Sequence, residues 1–241
     1  EPIHIAVNLS FRQFADEKFA QTVRNIVESA GVDPRRLEFE LTETAIMSNV
    51  EDIERCMQSI REMGSTFSLD DFGTGYSCLA NLRRLPVDGL KIDQTFVRDM
   101  LDDSNDLAIV EGVISLAQIF QSHVIAEGVE TTEHAIMLMQ LGCDIVQGFG
   151  IARPMPSEEL PDWIRRFKPD PRWSLWADTR WELADFPLLV AQYDHVRWVK
   201  RVVMAVDQPV GRLDEQEVID KHACRFGHWY DSHGRQHYGD M

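Results

Sequence analysis

The chain is poor in several things, and each shortage excludes something. No window approaches the roughly 18 consecutive apolar residues of a membrane-spanning helix. The start shows no signal-peptide pattern. There are only 4 cysteines, Cys56, Cys78, Cys143 and Cys224, scattered without the spacing of a disulfide framework, which fits a reducing, cytoplasmic setting. Basic residues are few: 24 Lys and Arg against 40 Asp and Glu, a net charge of -16. That balance argues against DNA, RNA or an anionic membrane surface as a partner. A phosphate substrate stays open if metal ions supply the positive charge locally. An initiator Met and a terminating feature are both missing, so a fragment cut at both ends is expected.

What is present is a core. Hydrophobic residues make up 44% of the 241, enough for a large domain. The stretch Leu69-Asp70-Asp71-Phe72-Gly73-Thr74-Gly75-Tyr76-Ser77 organises the rest. A β-rich run ends there in two adjacent carboxylates. Such a pair repels itself and is tolerated where a divalent cation lies beside it. The ordinary alternative is a solvated strand end followed by a turn.

Short apolar runs alternate with helical periodicity along the chain. Strands are expected at Ile3 to Asn8 (read as buried), Leu37 to Leu41, Thr66 to Leu69, Gly89 to Asp93, His123 to Ala126 and Asp144 to Val146. Helices are expected over Phe19 to Ala30, Val50 to Met63, Leu79 to Arg84, Asp106 to Phe120, and from a Thr132 cap to Leu141, with one more opening at Ser157-Glu158-Glu159. Strands that do not alternate imply a parallel sheet covered on both faces. Each strand delivers a polar side chain at its C-terminal end: Asn8, Glu40, Asp70 with Asp71, Lys91, Glu127 and Gln147. In a (β/α)₈ barrel these ends converge on one mouth, whereas an open doubly wound sheet gathers them at one switch point. A partial barrel, short of its first strands, is the reading. The oxygen donors Asn8, Glu40, Asp70 and Asp71 suit a hard cation, Mg²⁺ or Mn²⁺.

The segment from Ile3 to Phe167 resembles the EAL domain, a family of cyclic-di-GMP phosphodiesterases. The resemblance is carried by Val7-Asn8-Leu9-Ser10, Glu40-Leu41-Thr42-Glu43, Asp70-Asp71-Phe72-Gly73-Thr74-Gly75-Tyr76, Leu90-Lys91-Ile92-Asp93, Ala126-Glu127-Gly128-Val129-Glu130 and Gln147-Gly148-Phe149, through to Arg153-Pro154. It implies a two-metal hydrolase of cyclic-di-GMP. Asn8, Glu40 and Asp70 would hold one ion, and Asp70 with Asp71 a second. Lys91 would position the attacking water or meet phosphate. Glu127 would be the general base, with Gln147 and Glu130 completing the pocket. Glu43 would anchor the loop from Asp71 to Ser77, which the family uses to couple homodimerisation to metal binding. The family's Glu-Ala-Leu motif and its following Arg are not in the sequence; they would belong before Glu1. The implied alternative to the enzyme is a catalytically silent receptor for the same nucleotide.

Past Lys168-Pro169-Asp170-Pro171 the character changes, and residues 168–187 read as a linker. His195-x-x-Trp198 followed by Cys224-x-x-Gly227-x-Trp229 resembles the start of the chemoreceptor zinc-binding (CZB) domain, a small helical bundle. The resemblance implies that His195 and Cys224 are zinc ligands, with two more beyond Met241. The expected organisation is residues 1–167 for the barrel and 188–241 for the zinc-sensing module, which could also serve as a dimerisation module.

Overall fold

The computed structural model describes residues 3–14, 16–43, 50–75 and 79–174, with short pieces at 195–196, 198–200, 202–204, 227 and 230–231. The chain divides into two compact units, Glu1–Thr179 and Arg180–Met241.

The first unit is a single parallel sheet wrapped by helices. Its strands are β1 (Ile5–Leu9), β2 (Leu37–Thr42), β3 (Thr66–Phe72), β4 (Gly89–Ile92), β5 (His123–Ala126) and β6 (Ile145–Val146). They lie in the order β1-β2-β3-β4-β5-β6, and each adjacent pair is parallel. A doubly wound sheet reverses its strand order partway; an unbroken sequential order belongs to a barrel wall. The fold is a partial (β/α)₈-type barrel of six strands.

The connecting helices are α1 (Phe11–Phe14), α2 (Phe19–Ala30), α3 (Val50–Arg61), α4 (Leu79–Arg84), α5 (Gln94–Asp99), α6 (Ser104–Phe120) and α7 (Thr132–Leu141), with α8 (Leu160–Arg166) and α9 (Pro171–Ser174) after β6. Their apolar faces close over the outside of the sheet. Ile53, Met57 and Ile60 of α3 and Val110 and Ile114 of α6 are fully buried, as are Phe67, Leu69, Leu90 and Ile92 of the central strands.

Side chains cap several helix starts. Asp103 Oδ1 accepts from Asn105 N (2.7 Å) ahead of α6. Thr131, not Thr132, caps α7 by accepting from His134 N (3.3 Å). Asp88 staples the lower rim of the central strands. Its carboxylate takes Phe67 N (3.0 Å) and Arg61 Nη2 (2.8 Å), and its carbonyl takes His123 N (2.9 Å).

Other expectations are corrected too. β1 is not buried: Ile5 is 55% and Val7 37% exposed. It is an edge strand, hydrogen-bonded to β2 on one side only. Helix α5 went unread, because six residues give too little periodicity to register. Its signal was Asp93, whose Oδ1 accepts Thr95 N (2.8 Å) as an N-cap. The last expected helix begins at Leu160 rather than in the turn at 157–159.

Candidate metal and acid-base centre

β3 carries the two adjacent acids, and the way it carries them matters. Neighbouring residues on a regular strand point to opposite faces. Between Leu69 and Phe72 the pairing with β4 slips: Leu69 faces Leu90, but Phe72 faces Ile92. One extra residue sits on β3 here, a β-bulge. Asp71 takes φ +55°, in the left-handed region. The bulge brings both carboxylates to one side, where Asp70, Asp71 and Glu127 each place a ligand atom within 4.8 Å of the others.

Lys91 reaches into the same place from β4 and is 3% exposed. Its ammonium makes three contacts: Glu127 Oε1 at 2.6 Å, Glu40 Oε1 at 2.8 Å and Asp70 Oδ1 at 3.1 Å. Burial works to lower the lysine pKa, but the hydrogen bonds it donates to Glu127 and Glu40 win and hold it above the ordinary lysine range. Burial pushes the Glu127 carboxyl up, and Lys91 opposes this. Asp71 is also raised, by burial first and then by Asp70 and Asp93 beside it.

Three carboxylates, Glu40, Asp70 and Glu127, thus contact one ammonium, and Asp71 lies beside Asp70 and Glu127. Negative charge is in excess, adding to the burial that makes Glu127 and Asp71 hold protons more tightly. A hard divalent cation would relieve that excess, and carboxylate oxygen is its preferred donor. The residues present fit such an ion.

The remaining expected residues fall around this cluster. Asn8 on β1 lies opposite Glu40 in register and is exposed. Gln147 and Glu130 are exposed at the same end of the sheet, where Val129 N donates to the Gln147 carbonyl (3.0 Å). Glu43 is buried, and its Oε2 accepts from Gly73 N (3.2 Å) and Gly75 N (3.3 Å), at the head of the loop leaving β3. His195 is exposed and stacks on Trp198, ring centroids 5.9 Å apart. Cys224 lies outside the described residues.

Asp93 was missed as a site residue. It is buried beside Asp71, and its carboxylate accepts from both Thr95 N and Thr95 Oγ1. Its place two residues after Lys91, at the end of the same strand, was the available signal. Helix α5 underlies the site as well. Gly128, φ +71°, lies over Gln94, and a Cβ there would stand 2.6 Å from Gln94 Cβ. Only glycine lets the loop after Glu127 cross at this height.

A partial parallel barrel with an acidic cluster and one lysine at the C-terminal mouth defines an α/β protein with a metal-type centre. The EAL domain family matches residues 1–154, and the chain belongs to it. Residues 195–241 match the chemoreceptor zinc-binding domain.

Similar proteins include the cyclic di-GMP phosphodiesterase NbdA of Pseudomonas aeruginosa, 38% identical over 170 residues, covering 70% of this chain and 22% of that protein. The cyclic di-GMP phosphodiesterase PdeR of Escherichia coli is 35% identical over 165 residues, covering 68% of this chain and 25% of that protein. The chain thus spans about a quarter or less of these relatives' length. Among solved structures, the c-di-GMP complex of the PaMucR phosphodiesterase superposes with a TM-score of 0.63 at 41% identity, covering 65% of this chain and 64% of that one. The EAL domain of Mycobacterium smegmatis DcpA superposes with a TM-score of 0.65 at 34% identity, covering 70% and 75%.

Proposed function

We propose that the first unit hydrolyses cyclic-di-GMP to the linear dinucleotide pGpG, using divalent metal. The observation that carries this reading is the bulged pair Asp70-Asp71 meeting Glu127 and Lys91 at one mouth. Relatives named as cyclic di-GMP phosphodiesterases support the substrate.

Asn8, Glu40, Asp70 and Asp71 would hold Mg²⁺ or Mn²⁺. Divalent cations there supply positive charge against the phosphate and acidify water. Glu127 takes the proton of the attacking water, its carboxylate being held at the mouth by Lys91 at 2.6 Å. The new bond joins water oxygen to phosphorus, the bond to the ribose 3′ oxygen breaks, and that oxygen leaves with a proton. Lys91, held cationic by its carboxylates, stabilises charge on the phosphoryl oxygens or orients the water. Gln147 and Glu130 border the nucleotide, and Glu43 fixes the loop after β3.

Residues 188–241 are read as a zinc-sensing module with His195 and Cys224 among its ligands, joined through residues 168–187 to a barrel over 1–167. A homodimer and a cytoplasmic location complete the reading.

The alternative is a catalytically silent receptor for the same nucleotide. Incubating the purified chain with cyclic-di-GMP and Mn²⁺, with chromatography for pGpG, separates the two. Product establishes the hydrolase. Binding without product favours the receptor, and neither binding nor product overturns both.

A further inference from the structure

The stretch after Lys168 begins as a tether in sequence, yet its first residues are bolted down. Asp170 stands between Pro169 and Pro171, whose rings fix the backbone on either side. Its Oδ2 accepts from Thr132 Oγ1 (2.9 Å), and its Oδ1 accepts from Arg172 N (2.9 Å). Arg172 Nη2 donates to Asp170 Oδ2 (2.9 Å), while its Nη1 donates to Glu133 Oε1 (2.9 Å). Arg172 holds the Asp170 carboxyl well below the usual carboxylate range. Thr132 and Glu133 are the first two residues of α7.

The other end of this connection is the catalytic loop. Five residues, Glu127 to Thr131, join β5 to α7. Glu127 N is held by the Ile92 carbonyl (3.1 Å) and Val129 N by the Gln147 carbonyl (3.0 Å). The far end of the loop is Thr131, the cap of α7. The third residue of that helix, His134, is buried with Nε2 donating to the Arg98 carbonyl of α5 (3.2 Å) and Nδ1 3.1 Å from Thr131 Oγ1. The N-terminal turn of α7 is therefore a junction. It carries the loop with Glu127 and Glu130 on one side and the Asp170–Arg172 turn on the other.

We propose that Asp170 and Arg172 are positioning residues. By clamping the first turn of α7 they fix the exit of the Glu127–Thr131 loop, and with it the carboxylate that meets Lys91. The catalytic meaning of the clamp rests on the hydrolase reading; the clamp itself does not. Residues that read as a linker in sequence are, at their start, fastened to the first turn of α7. Ion pairs this exposed are weak one by one, so the clamp holds through several contacts at once.

Hydrogen exchange on the metal-free, full 241-residue chain tests it. Arg172→Ala and Asp170→Ala are expected to speed exchange over residues 129–135 by about two- to fivefold, the factor an exposed polar clamp can hold. The α6 peptides at 107–117 should not change. Arg165→Ala, which removes a comparable exposed pair with Asp162 on α8, should leave 129–135 as it was. Arg172→Lys should recover part of the protection by keeping a cation near Glu133. If either alanine variant does not fold, Thr132→Val removes only the hydroxyl bond to Asp170 and is read in the same way. Mn²⁺ affinity by calorimetry should fall with the loss of protection.

Unchanged exchange at 129–135 overturns the proposal, and so does a uniform rise across the chain, which would mean a structural role only. Neither readout requires turnover, so a chain that protects its loop but makes no pGpG would sink the hydrolase reading and leave the clamp standing.

Discussion

Lys91 Nζ lies 2.6 Å from Glu127 Oε1, the shortest of its three contacts to carboxylates that otherwise repel one another. In the metal-free chain Lys91 is the counterion of the whole mouth. Lys91→Met should cost about 3 kcal/mol of stability, the usual result of leaving buried charges without their partner. Mn²⁺ should restore most of that loss by replacing the missing charge. Denaturant melts with and without Mn²⁺ check this; equal losses in both would remove Lys91 from the electrostatic role.

Glu127→Gln keeps the shape of the loop but cannot accept a proton. Turnover of cyclic-di-GMP should fall by about 10²–10⁴-fold, the usual contribution of a general base. Nucleotide binding should persist. Single-turnover kinetics beside equilibrium binding separates the two, and near-normal turnover would assign the base elsewhere.

A second polar pair lies lower in the sheet. His123 Nε2 stands 3.4 Å from Glu38 Oε1, its ring over Gly89, where a Cβ would lie 2.3 Å from Nε2. Glu38 raises the His123 pKa, and His123 lowers that of Glu38. A raised histidine stabilises fully below its unfolded value of 6.5, and the effect fades as pH rises through the folded value. A lowered glutamate stabilises fully above 4.5 and loses the effect as pH falls through its folded value. The pair therefore contributes most between about pH 4.5 and 6.5. His123→Gln should remove this maximum, lowering stability within the window and flattening the profile on either side of it, read by thermal melts at stepped pH. A profile unchanged in shape would show the pair to be electrostatically silent.

Cys224→Ser should lower the zinc content of the purified chain and leave Mn²⁺ binding at the barrel mouth unaltered. Elemental analysis beside a Mn²⁺ titration reads both. Unchanged zinc would end the proposed role of Cys224.

Much of the fold was legible because its strands are apolar runs bounded by helix-length periodic segments, as at Leu37 to Leu41 and Phe19 to Ala30. Edge status was not, since exposure of Ile5 and Val7 depends on which neighbours a strand has. The carboxylates and the lysine could be named one by one from strand ends. Their meeting could not, because a regular strand would have sent Asp70 and Asp71 to opposite faces. The bulge that prevents this is a matter of pairing with β4. Asp93 escaped notice for a related reason: in sequence it reads as the last residue of a strand, and only its burial beside Asp71 brings it to the site.

The bulge on β3 also makes the mouth sensitive to counting rather than to chemistry. Loss of one codon between Leu69 and Phe72 would remove the extra residue from β3 and leave one acid where there were two. In a lineage under relaxed selection it offers a one-step route from a two-acid mouth to a one-acid mouth, and a substitution could not reverse it.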